Sequence, residues 1–111
     1  MLTFDEIRIQ AARQRMLLFN SITNWEPILR LLENSVNTGF TLCDMDAATI
    51  HVCNGNSLSA SQVNLLALTL YHLGYVTLVS STLYIDVYKP TAAGWLLAVD
   101  PRRRLVVEQP L

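Results

Sequence analysis

The chain has few charged residues. Asp, Glu, Lys and Arg make up 15% of its 111 residues, whereas hydrophobic residues make up 51%. An average soluble domain has about 25% charged residues. Disordered proteins show the opposite balance, with low hydrophobicity and high net charge, so this composition excludes an intrinsically disordered protein. The length allows one domain with a core and is too short for two ordinary domains.

Glycine, proline and cysteine are also scarce. Four Gly and four Pro exclude collagen-like and low-complexity chains. Two cysteines, Cys43 and Cys53, are far fewer than a disulfide-scaffolded secreted domain carries. Asp5 and Glu6 stand where a signal peptide needs basic residues, and no apolar run follows them. We therefore expect a protein of a reducing cytosol that is not secreted.

The distribution of charge excludes two classes of partner. Between Ala47 and Ile85 there is no Asp, Glu, Lys or Arg, but polar residues interrupt every apolar run. No run reaches the roughly 18 residues of a membrane-spanning helix. The net charge of −1 provides no overall field that would attract nucleic acid or anionic lipid. We expect neither a membrane span nor a nucleic-acid partner.

Two helices are predicted at the N-terminus. Thr3 and Glu6 have the spacing of a capping box, and apolar residues follow at helical intervals, which predicts a helix over Phe4–Phe19. A second helix is predicted over Trp25–Asn37, with a proline in its first turn and Gly39 as its stop.

The centre of the chain predicts a short β-hairpin followed by a helix. The runs 40–43 and 49–53 are typical of strands, joined by a loop that contains Asp44 and Asp46. Ser59 and Gln62 form a second capping box, which predicts a helix that ends near Leu73. That helix is apolar around most of its circumference, so we expect it to be buried.

Strands dominate the prediction for the rest of the chain. The runs 75–79 and 82–88 predict a hairpin around Ser80 and Ser81. The runs 95–99 and 105–108 predict a further hairpin with a basic turn. The expected architecture is thus an α+β fold with two N-terminal helices, a short hairpin, a central buried helix and C-terminal hairpins in a small antiparallel sheet. It divides into a compact domain, 1–90, and an apolar extension, 91–111.

Metal and thiol chemistry is weakly indicated. Cys43, His51, Cys53 and His72 are formally a zinc-ligand set, but the cysteines lie ten positions apart rather than in a short loop pair. We favour the interpretation that the two cysteines are small buried apolar residues. A Cys43–Cys53 disulfide across the predicted hairpin is geometrically conceivable, although the absence of a secretion signal disfavours it.

Catalysis is not indicated either. Asp44 and Asp46 have the alternation of a divalent-cation pair, but Asp is also favoured in turns, where it bonds nearby backbone amides. The chain contains no nucleophile elbow and no Gly-rich phosphate loop. We therefore predict a protein that is not an enzyme and has no metal or cofactor.

Arginine supplies seven of the eight basic residues. Arg pairs with planar carboxylates and phosphates and is weakly hydrated, which suits interfaces. The predicted basic turn contains Arg102, Arg103 and Arg104. These residues would contact phosphate if aromatic groups lay beside them, or would form a solvated turn with intersubunit salt bridges.

A further pattern consists of the run 58–59, Leu66 and Leu70, the run 73–76 with its Gly-Tyr pair, and the run 84–85. With this pattern the chain, over roughly 3–87, resembles small uncharacterised bacteriophage-encoded α+β proteins. The resemblance implies a virion component or an anti-host factor and assigns no functional residues. The chain departs from these proteins because its helix after Ser59 lacks Lys and Glu and because it continues past Pro90. Both departures indicate burial by a partner.

The shortage of charge leads to a functional prediction. The mean hydropathy is +0.30, and contiguous exposed apolar patches mark partner sites. We predict a non-enzymatic structural protein, a minor capsid, neck or tail component that self-associates or docks into a symmetric assembly in the host cytoplasm. The alternative is a small soluble anti-host inhibitor or a sponge for a nucleotide messenger. The predicted contact residues are Trp95, Leu96, Leu97, Val99, Leu105, Val106 and Val107.

Overall fold

The fold is α+β, as predicted. The computed structural model describes residues 1–100 and Arg102. Within this part of the chain, the fold consists of helices and a two-stranded antiparallel sheet. The elements in chain order are α1 (Phe4–Ser21), α2 (Glu26–Asn34), α3 (Leu42–Ala48), α4 (Ala60–His72), β1 (Val76–Ser81), β2 (Asp86–Pro90) and α5 (Ala92–Val99).

Side-chain caps fix the starts of two of the predicted helices, α1 and α4. At α4 the Gln62 amide donates to the Ser59 hydroxyl, and the Ser59 amide donates to the Gln62 side chain at 2.8 Å, which completes the predicted capping box. At α1 the Glu6 amide donates to the Thr3 hydroxyl at 3.2 Å. These bonds satisfy backbone amides that have no partner within the helix.

The hairpin predicted over 40–53 is wrong. Leu42–Ala48 form α3, since the Asp44 amide donates to the Thr41 hydroxyl and the Thr41 amide donates to the Asp44 carboxylate at 2.9 Å. Thr-x-x-Asp works here as a capping box, whereas the prediction placed Asp44 in a turn. The helix also buries Met45 completely.

The strand predicted over 95–99 is wrong as well. Ala92–Val99 form α5, because the Thr91 hydroxyl accepts from the Gly94 amide at 3.2 Å and so caps a helix. The prediction missed this cap because it weighed only the run of large apolar residues that follows. The partner strand predicted over 105–108 lies outside the described residues.

The core lies between the helices and one face of the sheet. Helix α4 is central: it packs on α1, α3 and β1, and five of its residues are buried. Helix α5 packs on α2 and β2. The largest fully buried side chains are Phe40, Ile28, Leu32, Met45, Leu66, Leu70, Val52 and Val76.

The second predicted hairpin is present with a different turn. Strands β1 and β2 pair in an antiparallel register that shifts between Leu78 and Ser80, so Val79 is an extra residue. The chain reverses at 82–85 rather than at 80–81. Thr82 holds this turn, because its amide donates to the Ile85 carbonyl at 2.9 Å and its hydroxyl accepts from the Ile85 amide at 3.0 Å.

Candidate interaction surface

The hairpin carries five exposed large apolar side chains, two in β1 and three in its turn. Leu83 and Tyr84 at its turn are 87% and 88% exposed, respectively. Within β1, Val76 alone is buried. We use the name hairpin surface for the exposed residues Leu78, Val79, Leu83, Tyr84 and Ile85. Large apolar groups gathered in this way are typical of surfaces that bind other proteins.

The hairpin surface is also uncharged. It belongs to the segment without Asp, Glu, Lys or Arg, which ends at Ile85. The nearest charged residue along the chain is Asp86, whose carboxylate accepts from the Ser81 hydroxyl across the hairpin at 2.5 Å. A partner that covers this surface would therefore bury mainly apolar atoms and backbone groups.

Three of the predicted contact residues form a second apolar surface. Trp95, Leu96 and Val99 are exposed on α5 and are called the α5 surface below. Leu97 was predicted as a contact but is buried, since it points from the other side of α5 into the protein. Its helical spacing from Trp95 and Val99 explains this, because residues two apart on a helix face different directions. The remaining predicted contacts, Leu105, Val106 and Val107, lie outside the described residues.

Arg102 is the one member of the predicted basic turn that the structure describes. Its side chain is exposed, and its Nε donates to the Asp100 carboxylate at 3.2 Å. The Arg102 amide donates to the same oxygen at 3.0 Å. This arginine therefore neutralises a nearby carboxylate of its own chain. Arg103 and Arg104 lie outside the described residues.

The cysteine, histidine and aspartate candidates have local roles. Cys43 is an exposed free thiol in the first turn of α3, and Cys53 is a partly buried free thiol near the Ser21 hydroxyl. Asp44 belongs to the capping box with Thr41 described above. Nδ1 of His51 lies 2.7 Å from the Gly55 carbonyl oxygen, within a turn. Among residues 1–100 and Arg102, no three His, Cys, Asp or Glu side chains are grouped as a metal site would require.

Two grooves lie beside exposed apolar side chains, and one of them adjoins the hairpin surface. A groove of about 220 Å³ separates the hairpin turn from the start of α3 and is lined by Leu42, Cys43 and the turn residues. A wider and more open groove of about 560 Å³ runs between α1 and α4, beside the exposed Leu17 and Leu68. Its lining is uncharged. Both shapes suit contact with protein side chains.

Tyr88 links the hairpin to the core, and its pKa is raised. Its ring stacks on Phe40, with the ring centroids 5.7 Å apart. Burial raises the pKa of Tyr88, and the nearby Asp86 carboxylate and Tyr71 raise it further. The neutral phenol is therefore the form that the folded protein favours.

Alkaline pH should destabilise the protein through Tyr88. The pKa of Tyr88 is higher in the folded protein than the unfolded value of about 10. The stabilisation that Tyr88 contributes to the unfolding free energy is therefore complete below that pH, and it is lost as the pH rises towards the folded pKa. We expect the unfolding free energy to fall above about pH 10, and to fall less steeply in Tyr88→Phe. Urea unfolding at several alkaline pH values measures both slopes. Equal slopes for the two proteins would contradict this role of Tyr88.

No protein-family model, no curated protein and no solved structure matches the sequence or the fold. In the part of the chain that the structure describes, no helix is long and apolar enough to cross a membrane.

Sequence reasoning missed the hairpin surface although its signal was present. The runs 78–79 and 83–85 place large apolar residues next to each other instead of alternating them with polar ones. A strand with one solvated face alternates, so consecutive apolar residues predict that both faces are covered. Leu78 shares its face with the buried Val76, so its exposure follows from the tertiary packing of the hairpin and not from the strand pattern.

Proposed function

We propose that this protein is a non-enzymatic structural protein that self-associates or docks into a symmetric assembly. The observation that carries the proposal is the hairpin surface, where five large apolar residues are exposed without a charge among them. Burying one such side chain contributes about 1.5–3 kcal/mol, so several together support a stable contact.

The α5 surface is proposed as a second contact. Its exposed residues are those that the sequence predicted, apart from the buried Leu97. The role as a minor component of a phage virion remains a prediction that stems from the resemblance given above. Both surfaces are compatible with it, because virion components are covered by neighbours on several sides.

Substitutions at the hairpin turn test the proposal. The double variant Leu83→Ser with Tyr84→Ser should raise the dissociation constant of the assembly by at least roughly tenfold, since it removes more than about 1.4 kcal/mol of apolar burial. Light scattering coupled to size-exclusion chromatography measures the change.

The matched control removes two exposed apolar residues elsewhere. Phe4→Ser with Ile7→Ser changes the first turns of α1, where both residues are exposed. This control should leave association unchanged. If it weakens association as much as the variant of the hairpin turn, the hairpin surface is not the contact.

A further inference from the structure

A tight turn between α3 and α4 contains Asn54, the one asparagine of the chain that a glycine follows. Cys53 and Asn56 close this turn with two backbone hydrogen bonds, of 3.0 Å and 2.9 Å. Asn54 and Gly55 between them have φ values of +49° and +87°. Positive φ at both central residues is the mark of a type I′ turn, for which Asn-Gly is a preferred pair.

The turn is tied to the connection between α1 and α2. The Thr23 hydroxyl accepts from the Asn54 amide at 3.0 Å and donates to the Val52 carbonyl at 3.0 Å. The Thr23 and Asn24 amides donate to the same carbonyl, at 2.7 Å and 3.1 Å. Val52 itself is fully buried. These bonds hold the closed turn against the body of the protein.

The groups of an Asn-Gly pair can react with each other, and here neither group is engaged elsewhere. The Asn54 side chain is exposed and makes no hydrogen bond with the described residues. The Gly55 amide bonds to none of them either, and a β-carbon at Gly55 would meet no atom within 4 Å. The backbone at Gly55 therefore lies in open space.

We infer that Asn54 is a site of spontaneous deamidation, and that the closed turn holds this reaction in check. The Gly55 backbone nitrogen attacks Cγ of Asn54 and forms a C–N bond. Its proton passes through solvent to Nδ2, whose bond to Cγ breaks as ammonia leaves. Water then opens the resulting cyclic imide. Attack of water on Cγ gives an aspartyl residue, whereas attack on the backbone carbonyl carbon gives an isoaspartyl residue.

The conformation of the closed turn prevents ring closure. A residue in the left-handed region has a ψ of about +47°. At that angle the Gly55 nitrogen lies on the opposite side of the Asn54 Cα–C bond from Cβ, whereas ring closure needs both on the same side. The required rotation of ψ breaks the bonds between Cys53 and Asn56. The reaction rate should therefore follow the fraction of molecules in which the turn is open.

The isoaspartyl product does not fit the turn. It inserts one extra carbon into the backbone, so Cys53 and Asn56 lose the register of their two bonds. The new carboxylate also adds a negative charge to the segment between Ala47 and Ile85, which has none. Modification therefore makes the opening of the turn permanent and weakens its attachment to the connection between α1 and α2.

Peptide mapping by mass spectrometry tests the inference on the unmodified full-length chain. The chain is incubated at mildly alkaline pH, folded and in guanidinium chloride, and the conversion of each asparagine to a carboxylate is followed with time. In guanidinium chloride Asn54 should react before the other asparagines, because glycine has no side chain that hinders its nitrogen. In the folded chain Asn54 should react at least roughly tenfold more slowly. Equal rates, or earlier reaction of another asparagine in guanidinium chloride, would overturn the inference.

Thr23→Val opens the turn without changing the reacting groups. It removes the hydroxyl that bonds the Asn54 amide and the Val52 carbonyl, so deamidation of the folded chain should become roughly tenfold faster. Thr23→Ser keeps the hydroxyl and should keep the slow rate. The matched control Thr82→Val removes a hydroxyl with similar bonds at the hairpin turn and should leave the rate at Asn54 unchanged.

The same variants show whether the closed turn controls the reaction. An unchanged rate in Thr23→Val, or an equal rise in Thr82→Val, would contradict this control. If Thr23→Val unfolds the whole chain, Asn20 within α1 will react as fast as it does in guanidinium chloride. The comparison of the folded and denatured unmodified chain then decides.

Amide hydrogen exchange tests the effect of the modification on the fold. The Asn24 amide, which donates to Val52, should exchange at least roughly tenfold faster in the purified isoaspartyl form than in the unmodified chain. Asn54→Asp carries the same charge without the extra carbon, and Asp-Gly also suits a type I′ turn, so this variant should keep the protection. Equal protection in the isoaspartyl form, or equal loss in Asn54→Asp, would show that the extra carbon does not open the turn.

Discussion

Gly94→Ala should lower the unfolding free energy by about 3 kcal/mol or more, because a β-carbon there overpacks a tight contact. Gly94 is buried in α5, and a β-carbon at this position would lie 1.9 Å from the Tyr75 carbonyl oxygen. That oxygen already accepts from the Thr91 amide, so it cannot move without breaking a bond at the start of α5. In an exposed helix the same substitution would stabilise the protein by about 1 kcal/mol.

Gly74→Ala is the matched control for this prediction. Gly74 follows α4 with a φ of +83°, and a β-carbon there meets no atom within 4 Å. Its substitution should lower the unfolding free energy only by the cost of placing alanine in the left-handed backbone conformation, about 1–2 kcal/mol. Urea unfolding at one fixed protein concentration compares the two variants. Equal losses, or a gain for Gly94→Ala, would show that α5 does not pack closely on Tyr75.

Phe40→Ala should cost about 3–5 kcal/mol, a large part of the 5–15 kcal/mol that a domain of this kind has. Phe40 is 1% exposed, its ring stacks on Tyr88, and its backbone closes the edge of β2. Truncation leaves a cavity at the junction between the sheet and the helices. A drop in melting temperature of about 4–8 °C for each kcal/mol is expected for a domain of this size.

Phe4→Ala, the control for Phe40→Ala, also removes a phenyl ring, but from an exposed site. Phe4 is 83% exposed in the first turn of α1, and exposed substitutions usually stay within about 0.5 kcal/mol. Thermal unfolding followed by circular dichroism compares the pair, with Phe40→Leu as a milder variant that keeps the protein folded. Similar losses for Phe4→Ala and Phe40→Ala would contradict the described core.

The helices could be predicted from the sequence where caps and periodicity agreed. Ser59 and Gln62 predicted the start of α4, and the structure has both capping bonds. Thr41 and Asp44 have the same spacing, but the β-type composition of the neighbouring runs outweighed it. Thr91 was missed in the same way, since the apolar run after it is as typical of a strand as of a short buried helix.

The candidate surface could not be predicted fully, because it depends on tertiary contacts that a local sequence pattern does not contain. Which side of α5 is buried follows from its contact with α2 and β2, so Leu97 could not be separated from Trp95 and Val99 beforehand. The bridge between Phe40 and Tyr88, which fixes the hairpin on the core, joins residues distant in the chain. The low charge of the sequence led to the prediction of a partner, and the structure shows five of the exposed large apolar residues on the hairpin.

The absolute mass of the unmodified chain across a roughly tenfold concentration range tests the central claim most directly, since a self-associating protein responds to its own concentration. Light scattering coupled to size-exclusion chromatography gives that mass without reference to shape. We predict a mass that rises with concentration towards a closed oligomer, at a multiple of the 12.5 kDa of one chain. A mass of 12.5 kDa at every concentration would contradict self-association and would favour the small soluble inhibitor instead.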